Sequence, residues 1–167
     1  ARVVVATGLL HGAGVTPEKT MRSLDPAALL RLFQVNTIGP ALIAKHLLPL
    51  MPRDAPSVFA ALSARVGSIA DNRLGGWYGY RSSKAALNMM IATLALEHRR
   101  THPHGVCVAL HPGTVDTPLS APFAQGSAAA KRLTAAQSAA ALVGVMDGLT
   151  AADTGRVFAW DGQPIPW

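Results

Sequence analysis

The sequence predicts an α/β protein built on a parallel sheet, and three observations carry that prediction. Short, wholly apolar runs recur along the chain and read as strands buried on both faces. Long segments of helical periodicity alternate with them, an order that joins parallel strands through helical crossovers. The chain has 167 residues, half of them apolar, enough for one continuous core and too few for two ordinary domains.

Each element has its own local reason. Val3, Val4, Val5 and Ala6 form the first apolar run, closed by Thr7-Gly8. Asp25 and Pro26 suit the N-cap and first position of a long helix reaching to about residue 49. A second strand is expected over residues 57–62, a second long helix from 76 to about 100, and a third strand over 105–110. Thr134 is a candidate N-cap for an Ala-rich helix running to about 149, and residues 156–160 read as a last strand. The small, polar stretch 118–131 suits a lid better than a core element. No internal repeat or linker interrupts this order.

Composition removes several function classes. The net charge of +6 comes from scattered arginines rather than a basic stripe, and no aromatic residues are interleaved to stack bases, so nucleic-acid binding is not expected. No uninterrupted apolar run reaches the eighteen or so residues of a membrane span, and a soluble, cytoplasmic protein is expected. Cys107, the one cysteine, reads as a small core residue. The patch from His98 to His104 holds three histidines, with His98 and His102 at a metal-compatible spacing. No carboxylate or cysteine completes a ligand set, and the patch reads as a solvated helix end.

Chemistry concentrates at the ends of the predicted strands. Tyr80 and Lys84 are four residues apart on one helix face, where a lysine cation is expected to favour the phenolate and draw its pKa from about 10 toward neutrality. Asn36 lies inside the first long helix, and Pro40 cannot donate to its carbonyl, so a kink is expected near 36–40 with Lys84 in direct or water-bridged reach. Ser63, Ala64 and Ser68 follow the second strand, and His111-Pro112-Gly113-Thr114-Val115-Asp116-Thr117 follows the third, where open α/β sheets bind ligands.

Taken together, the strand ending Ala6-Thr7-Gly8, Asn36-Thr37-Ile38-Gly39, the segment Leu62 to Ile69, Tyr80 to Lys84 running into Ala85-Ala86-Leu87-Asn88, and the segment His111 to Thr117 resemble the short-chain dehydrogenase/reductases, in the carbonyl-reductase and C-factor-like branch. The resemblance covers essentially the whole chain. It implies a Rossmann-like, doubly wound sheet in three αβα layers and an NAD(P)-dependent oxidoreductase acting on a small carbonyl or alcohol substrate, NADP ahead of NAD. It implies Tyr80 as proton donor, Lys84 as ribose ligand, and Asn36 as anchor of a relay water. Ala6, Gly8, Tyr80, Lys84, Pro112, Gly113, Val115 and Thr117 would then meet the cofactor. Homodimerisation through the two long helices is a further expectation, and Trp77, Tyr78 and the lid would shape the pocket.

Two departures from the family pattern stand out. The usual second serine of the strand end is Ala64, which makes Ser68 the leading catalytic serine and Ser63 its runner-up. The string Thr7 to Gly14 spells Thr-Gly-x-x-x-Gly-x-Gly, yet Pro17 and polar residues follow where a helix should open. It is therefore read as the end of the family's fourth strand, with the first three strands and the pyrophosphate loop missing from an N-terminally truncated domain. The competing reading is a catalytically retired dinucleotide-binding or signalling protein of the same fold.

Overall fold

A computed structural model describes residues 1–12, 14–122 and 132–167. Four parallel strands form one sheet in the order β1-β2-β3-β4: β1 (Arg2–Val5), β2 (Ser57–Leu62), β3 (Gly105–His111) and β4 (Val157–Ala159). The registers align Val4 with Ala60, Ala60 with Val108, and Leu110 with Phe158, which brings the strand ends level at one edge. Among the described residues β1 pairs only with β2, and Val4 remains 45% exposed at that edge.

Alternation along the strands divides the core into two layers. Phe59, Ala61, Cys107 and Ala109 face one side and pack with Ala44, Leu87 and Ile91 of the long helices; Val58, Ala60, Val108 and Leu110 face the other and pack with Leu142 and Met146. Each large side chain buried in this way contributes about 2 kcal/mol. The sheet is thus sandwiched by helices on both faces, the expected three-layer arrangement.

The first long helix comprises α1 (Pro26–Phe33), a π turn at Gln34–Ile38 and α2 (Gly39–Leu47). Asp25 caps α1 by accepting from the Ala28 amide at 2.8 Å, and Pro26 takes the first helical position. The expected irregularity is the π turn, where Gly39 N–H reaches back to Gln34 O. By length and composition the stretch Pro26–Leu50 could cross a bilayer, with mean hydropathy 1.3. Its buried side chains instead tie it to the next helix: Asn36 donates to Ser83 Oγ at 3.0 Å and Thr37 Oγ1 donates to Ser83 O at 2.7 Å.

That next helix, α3 (Tyr78–His98), matches the predicted one to within two residues at either end. α4 (Ala135–Gly148) begins with a full capping box between Thr134 and Gln137. The histidine patch corrects the reading of a solvated helix end. His98 and His102 are both buried, their rings stacked with centroids 4.0 Å apart, and His102 Nε2 meets Met51 O at 3.2 Å. The turn after α2 folds over them and excludes water, leaving His104 exposed. Burial, then the neighbouring His102, depresses the pKa of His98. Of the expected lid, residues 123–131 lie outside the described residues.

Candidate active site

The level strand ends and the first turns of α3 converge on Tyr80 and Lys84. Both lie in the inward face of α3, 8% and 2% exposed. The Lys84 ammonium is held by the Leu62 carbonyl at the end of β2, at 2.7 Å, and it lies 5.9 Å from the centre of the Tyr80 ring. Gly67 runs so close to α3 that a Cβ there would meet Lys84 Cβ at 2.8 Å, which explains the absence of a side chain at that point of the turn.

This geometry overturns the expected electrostatics. Burial raises the Tyr80 phenol to about 12 and lowers Lys84 to about 8. Desolvation penalises the charged form of each group, and an ammonium engaged by a carbonyl several ångströms from the phenol does not compensate. Tyr80 is therefore held as a protonated donor, the form a general acid requires.

Asn36 sits fully buried in the π turn and saturates its side-chain amide. Its Oδ1 accepts from Leu9 N at 2.8 Å, and its Nδ2 donates to Leu9 O at 2.8 Å and to Ser83 Oγ. Ser83 Oγ in turn donates to Tyr80 O at 2.9 Å. Among the described residues Lys84 makes no direct hydrogen bond to Asn36; its ammonium donates to the Leu62 carbonyl. Asn36 instead locks the loop after β1 to the turn of α3 that carries Tyr80. The same bonds settle the glycine string: the Leu9 amide, which a phosphate cradle would offer, belongs to Asn36, and Gly12 and Val15 pair with each other rather than opening a helix. Ala13 of that string lies outside the described residues.

The strand-end serines are committed differently. Ser63 Oγ donates to Asn88 Oδ1 at 2.7 Å inside the protein, whereas Ser68 Oγ accepts from the Asp71 amide at 3.1 Å and donates to Trp167 O at a long 3.4 Å. Arg65 pairs with Asp71 across this turn at 2.9 Å. Ala64, in the place of the usual serine, packs in one apolar cluster with Tyr80, Leu10, Val15 and Leu32. Trp77, placed in the pocket by the sequence, meets the Tyr80 ring edge-on at 6.3 Å, and Tyr78 points outward, 38% exposed.

Beyond β3, Gly113 adopts φ +80°, and a Cβ there would strike Trp160 at 2.7 Å. Ser138 Oγ donates to Pro112 O at 2.8 Å, and Val115 forms a bridge with Leu133, which pins this loop to the start of α4. Thr117 closes the turn, its amide donating to Ser120 Oγ at 3.3 Å. His111 is a group that sequence reasoning gave no role. Its buried Nδ1 has no partner among the described residues, and burial, reinforced by Arg65 and opposed by Asp161, lowers its pKa to about 4.

Which ligand these residues can hold follows from unfilled bonding capacity. A lysine ammonium has three donors, and among the described residues only the one to Leu62 is used. Gly8 is exposed beside it, its ideal Cβ position 3.8 Å from Lys84 Nζ, so residue 8 itself puts no side chain against the ammonium. Two free donors on a buried cation next to a bare backbone suit a vicinal diol such as a ribose, so the arrangement fits a nucleotide cofactor. Two surface depressions, of about 390 and 540 Å³, lie around Ser57 and Val106 at the opposite strand ends and between α4 and β4, away from this chemistry.

Comparison with known proteins agrees with the geometry. The family described as short chain dehydrogenase matches residues 6–128. The chain is 36% identical over 161 residues to the C-signal of Myxococcus xanthus, covering 95% of this chain and 91% of that protein. It superposes on the carbonyl reductase Sniffer of D. melanogaster with a TM-score of 0.81 at 28% identity, over 98% of this chain and 66% of that one. The NADPH-bound carbonyl reductase from chicken fatty liver gives a TM-score of 0.77 at 30% identity, over 93% of this chain and 64% of that one. The chain thus spans about two thirds of the length of these two reductases. Because the match runs from the end of β1 through α3 and past β3, through the residues that enclose Tyr80, the chain belongs to the short chain dehydrogenase family, in its carbonyl-reductase branch, a family of NAD(P)-dependent oxidoreductases.

Proposed function

We propose that the full-length protein reduces a carbonyl compound, or oxidises the corresponding alcohol, with Tyr80 as general acid and base. The observation that carries this reading is the buried Tyr80–Lys84 pair on one face of α3, with two lysine donors unfilled among the described residues beside Gly8. Lys84 and Gly8, with Ala6 at the end of β1 and Pro112, Gly113, Val115 and Thr117 after β3, would hold the cofactor. NADP is favoured because the chicken reductase of this fold binds NADPH. When bound, the nicotinamide supplies or accepts the hydride.

The chain's own residues then manage the oxygen and the proton. Tyr80 Oη, kept protonated by burial, donates to the carbonyl oxygen as charge develops on it. Ser68 is the hydroxyl that orients this oxygen: its 3.4 Å bond to Trp167 O is weak enough to exchange, whereas the short Ser63–Asn88 bond is not. Asn36 keeps Tyr80 in register through Ser83. Leu10, Val15 and Ala64 around the ring favour an apolar substrate. Two copies pairing through the long helices, where Leu42 and Met89 are exposed, belong to the same proposal.

A second reading is favoured by the C-signal, a protein that the chain covers almost end to end: a signal that retains the fold without turnover. Substitution of Tyr80 separates the two. In the full-length protein Tyr80→Phe is expected to lower carbonyl reduction at least a hundredfold while cofactor affinity stays within about threefold. Cofactor binding with no turnover on a panel of aldehydes and ketones would establish the signalling reading instead.

A further inference from the structure

α3 starts without a cap of its own. Its N-cap residue is Trp77, which makes no side-chain cap bond and sits in the left-handed region at φ +51°, and the first turn contains no acidic residue. A bulky side chain is held in that region only where its surroundings impose it. Residue 18 is part of those surroundings. Glu18 Oε2 accepts from the Gly79 amide at 3.2 Å, and the main-chain carbonyl of Glu18 accepts from the Trp77 amide. Two of the orphan donors of the helix end are thereby satisfied by one residue sixty positions away in the chain.

The contact is close and enclosed. Glu18 is 4% exposed, and its second carboxylate oxygen is buried without a partner among the described residues. A Cβ on Gly79 would meet Glu18 Oε1 at 2.9 Å and Leu32 at 2.6 Å, so the helix can lie against the carboxylate only because residue 79 is glycine. Tyr80 is the next residue. Its ring is edge-packed on Trp77 and walled by Leu10 and Val15, which stand on the same loop as Glu18.

We propose that Glu18 is a positioning residue for Tyr80: by clamping the Trp77 and Gly79 amides it fixes the first turn of α3 and so the place of the phenol. This rests on the reading of Tyr80 as general acid. A carboxylate at a helix N-terminus also complements the macrodipole, but that effect alone would stabilise α3 without reference to where Tyr80 lies. The clamp predicts a loss in the chemical step, since a displacement of the order of 1 Å in a reacting group costs large factors in rate.

The test compares Glu18→Ala, Glu18→Asp and Glu18→Gln in the full-length protein, following kcat, cofactor KM and amide exchange across residues 76–81. The alanine variant loses the acceptor and the aspartate falls one methylene short. Both are expected to lower kcat about tenfold or more, leave cofactor KM within about twofold, and speed exchange in 76–81 at least tenfold relative to the rest of α3. Glutamine keeps an acceptor oxygen and is expected to restore kcat to within about threefold, with exchange close to that of the parent. If the alanine variant does not fold, the aspartate variant carries the comparison. The proposal is overturned by a kcat within twofold of the parent in the aspartate or alanine variant, by a glutamine variant as impaired as alanine, or by exchange rising uniformly along α3. Failure of the underlying reading is distinguishable: Tyr80→Phe would then stay active while exchange at 76–81 still reported the clamp.

Discussion

Replacing Lys84 by methionine removes a cation from a site where it is 2% exposed and, among the described residues, bonded only to the Leu62 carbonyl. Burial lowers its pKa from 10.5 to about 8, which corresponds to about 3 kcal/mol of penalty on the charged folded state. The folded pKa is depressed, so between about 8 and 10.5 the unfolded chain binds more protons than the folded one. Stability from this group is therefore present above pH 10.5 and lost as pH falls through 8. Tyr80 and Cys107 run the other way: burial raises both to about 12, so the stability they bring fades as pH climbs above their ordinary values. Because those two are common to parent and variant, subtraction isolates Lys84. Urea unfolding followed by tryptophan fluorescence between pH 7.5 and 10.5 is expected to show the parent gaining about 3 kcal/mol relative to Lys84→Met across that window. In the full-length protein, saturating NADPH is expected to shrink the gain, since ribose hydroxyls would meet the two unfilled donors and restore the charged form. A difference curve that is flat in the absence of cofactor would refute the desolvated lysine and the ribose argument built on it.

Two further perturbations address the surroundings of the pair. Stability is expected to fall between pH 6.5 and about 4, because His98 and His111 both have depressed folded pKa values and the unfolded chain takes up protons there first. His111 alone, lowered to about 4, accounts for about 3 kcal/mol, and unfolding titrations of His111→Asn and His98→Leu should show a shallower acid limb. Gly67→Ala places a methyl group 2.8 to 3.1 Å from Lys84 Cβ and from α3 backbone, which has little room to yield. A loss of about 1 to 3 kcal/mol and a melting point lower by about 2 to 10 °C are expected by calorimetry, whereas an unchanged melting point would show that the turn before Ser68 is loose.

Much of the framework could be read from local pattern, for local reasons. The runs around Phe59 and Val108 are apolar on every residue because both faces of the sheet are covered. Asp25 and Thr134 announced their helices because a cap acts within three residues. What escaped the sequence acts over distance. Glu18 meets Gly79 across sixty-one positions, and nothing near Pro17 or Lys19 announces it. His98 and His102 look solvated until the turn containing Met51 is folded over them. The same blindness reversed the sign at Tyr80, since a spacing of four reveals that two groups share a face but not that both are dry.

The serine shows where the two kinds of information meet. In the sequence, Ser68 leads Ser63 only by its place relative to Tyr80, because Ala64 offers no hydroxyl, and that place says nothing of what each hydroxyl is bonded to. In the fold, Ala64 occupies the apolar wall beside the ring, so the methyl side chain keeps that wall dry and cannot itself hydrogen-bond a substrate. Ser63 is drawn away into a buried 2.7 Å bond to Asn88, whose Nδ2 already lacks a partner among the described residues, so releasing Ser63 would leave two polar groups of Asn88 unsatisfied. Ser68 donates through a 3.4 Å bond and is held from the other side by the Asp71 amide, which fixes its oxygen while leaving its hydrogen cheap to redirect. Under the proposed reading, a substrate carbonyl would compete with a weak bond at Ser68 and a strong one at Ser63, and this difference in commitment is what supports proposing Ser68.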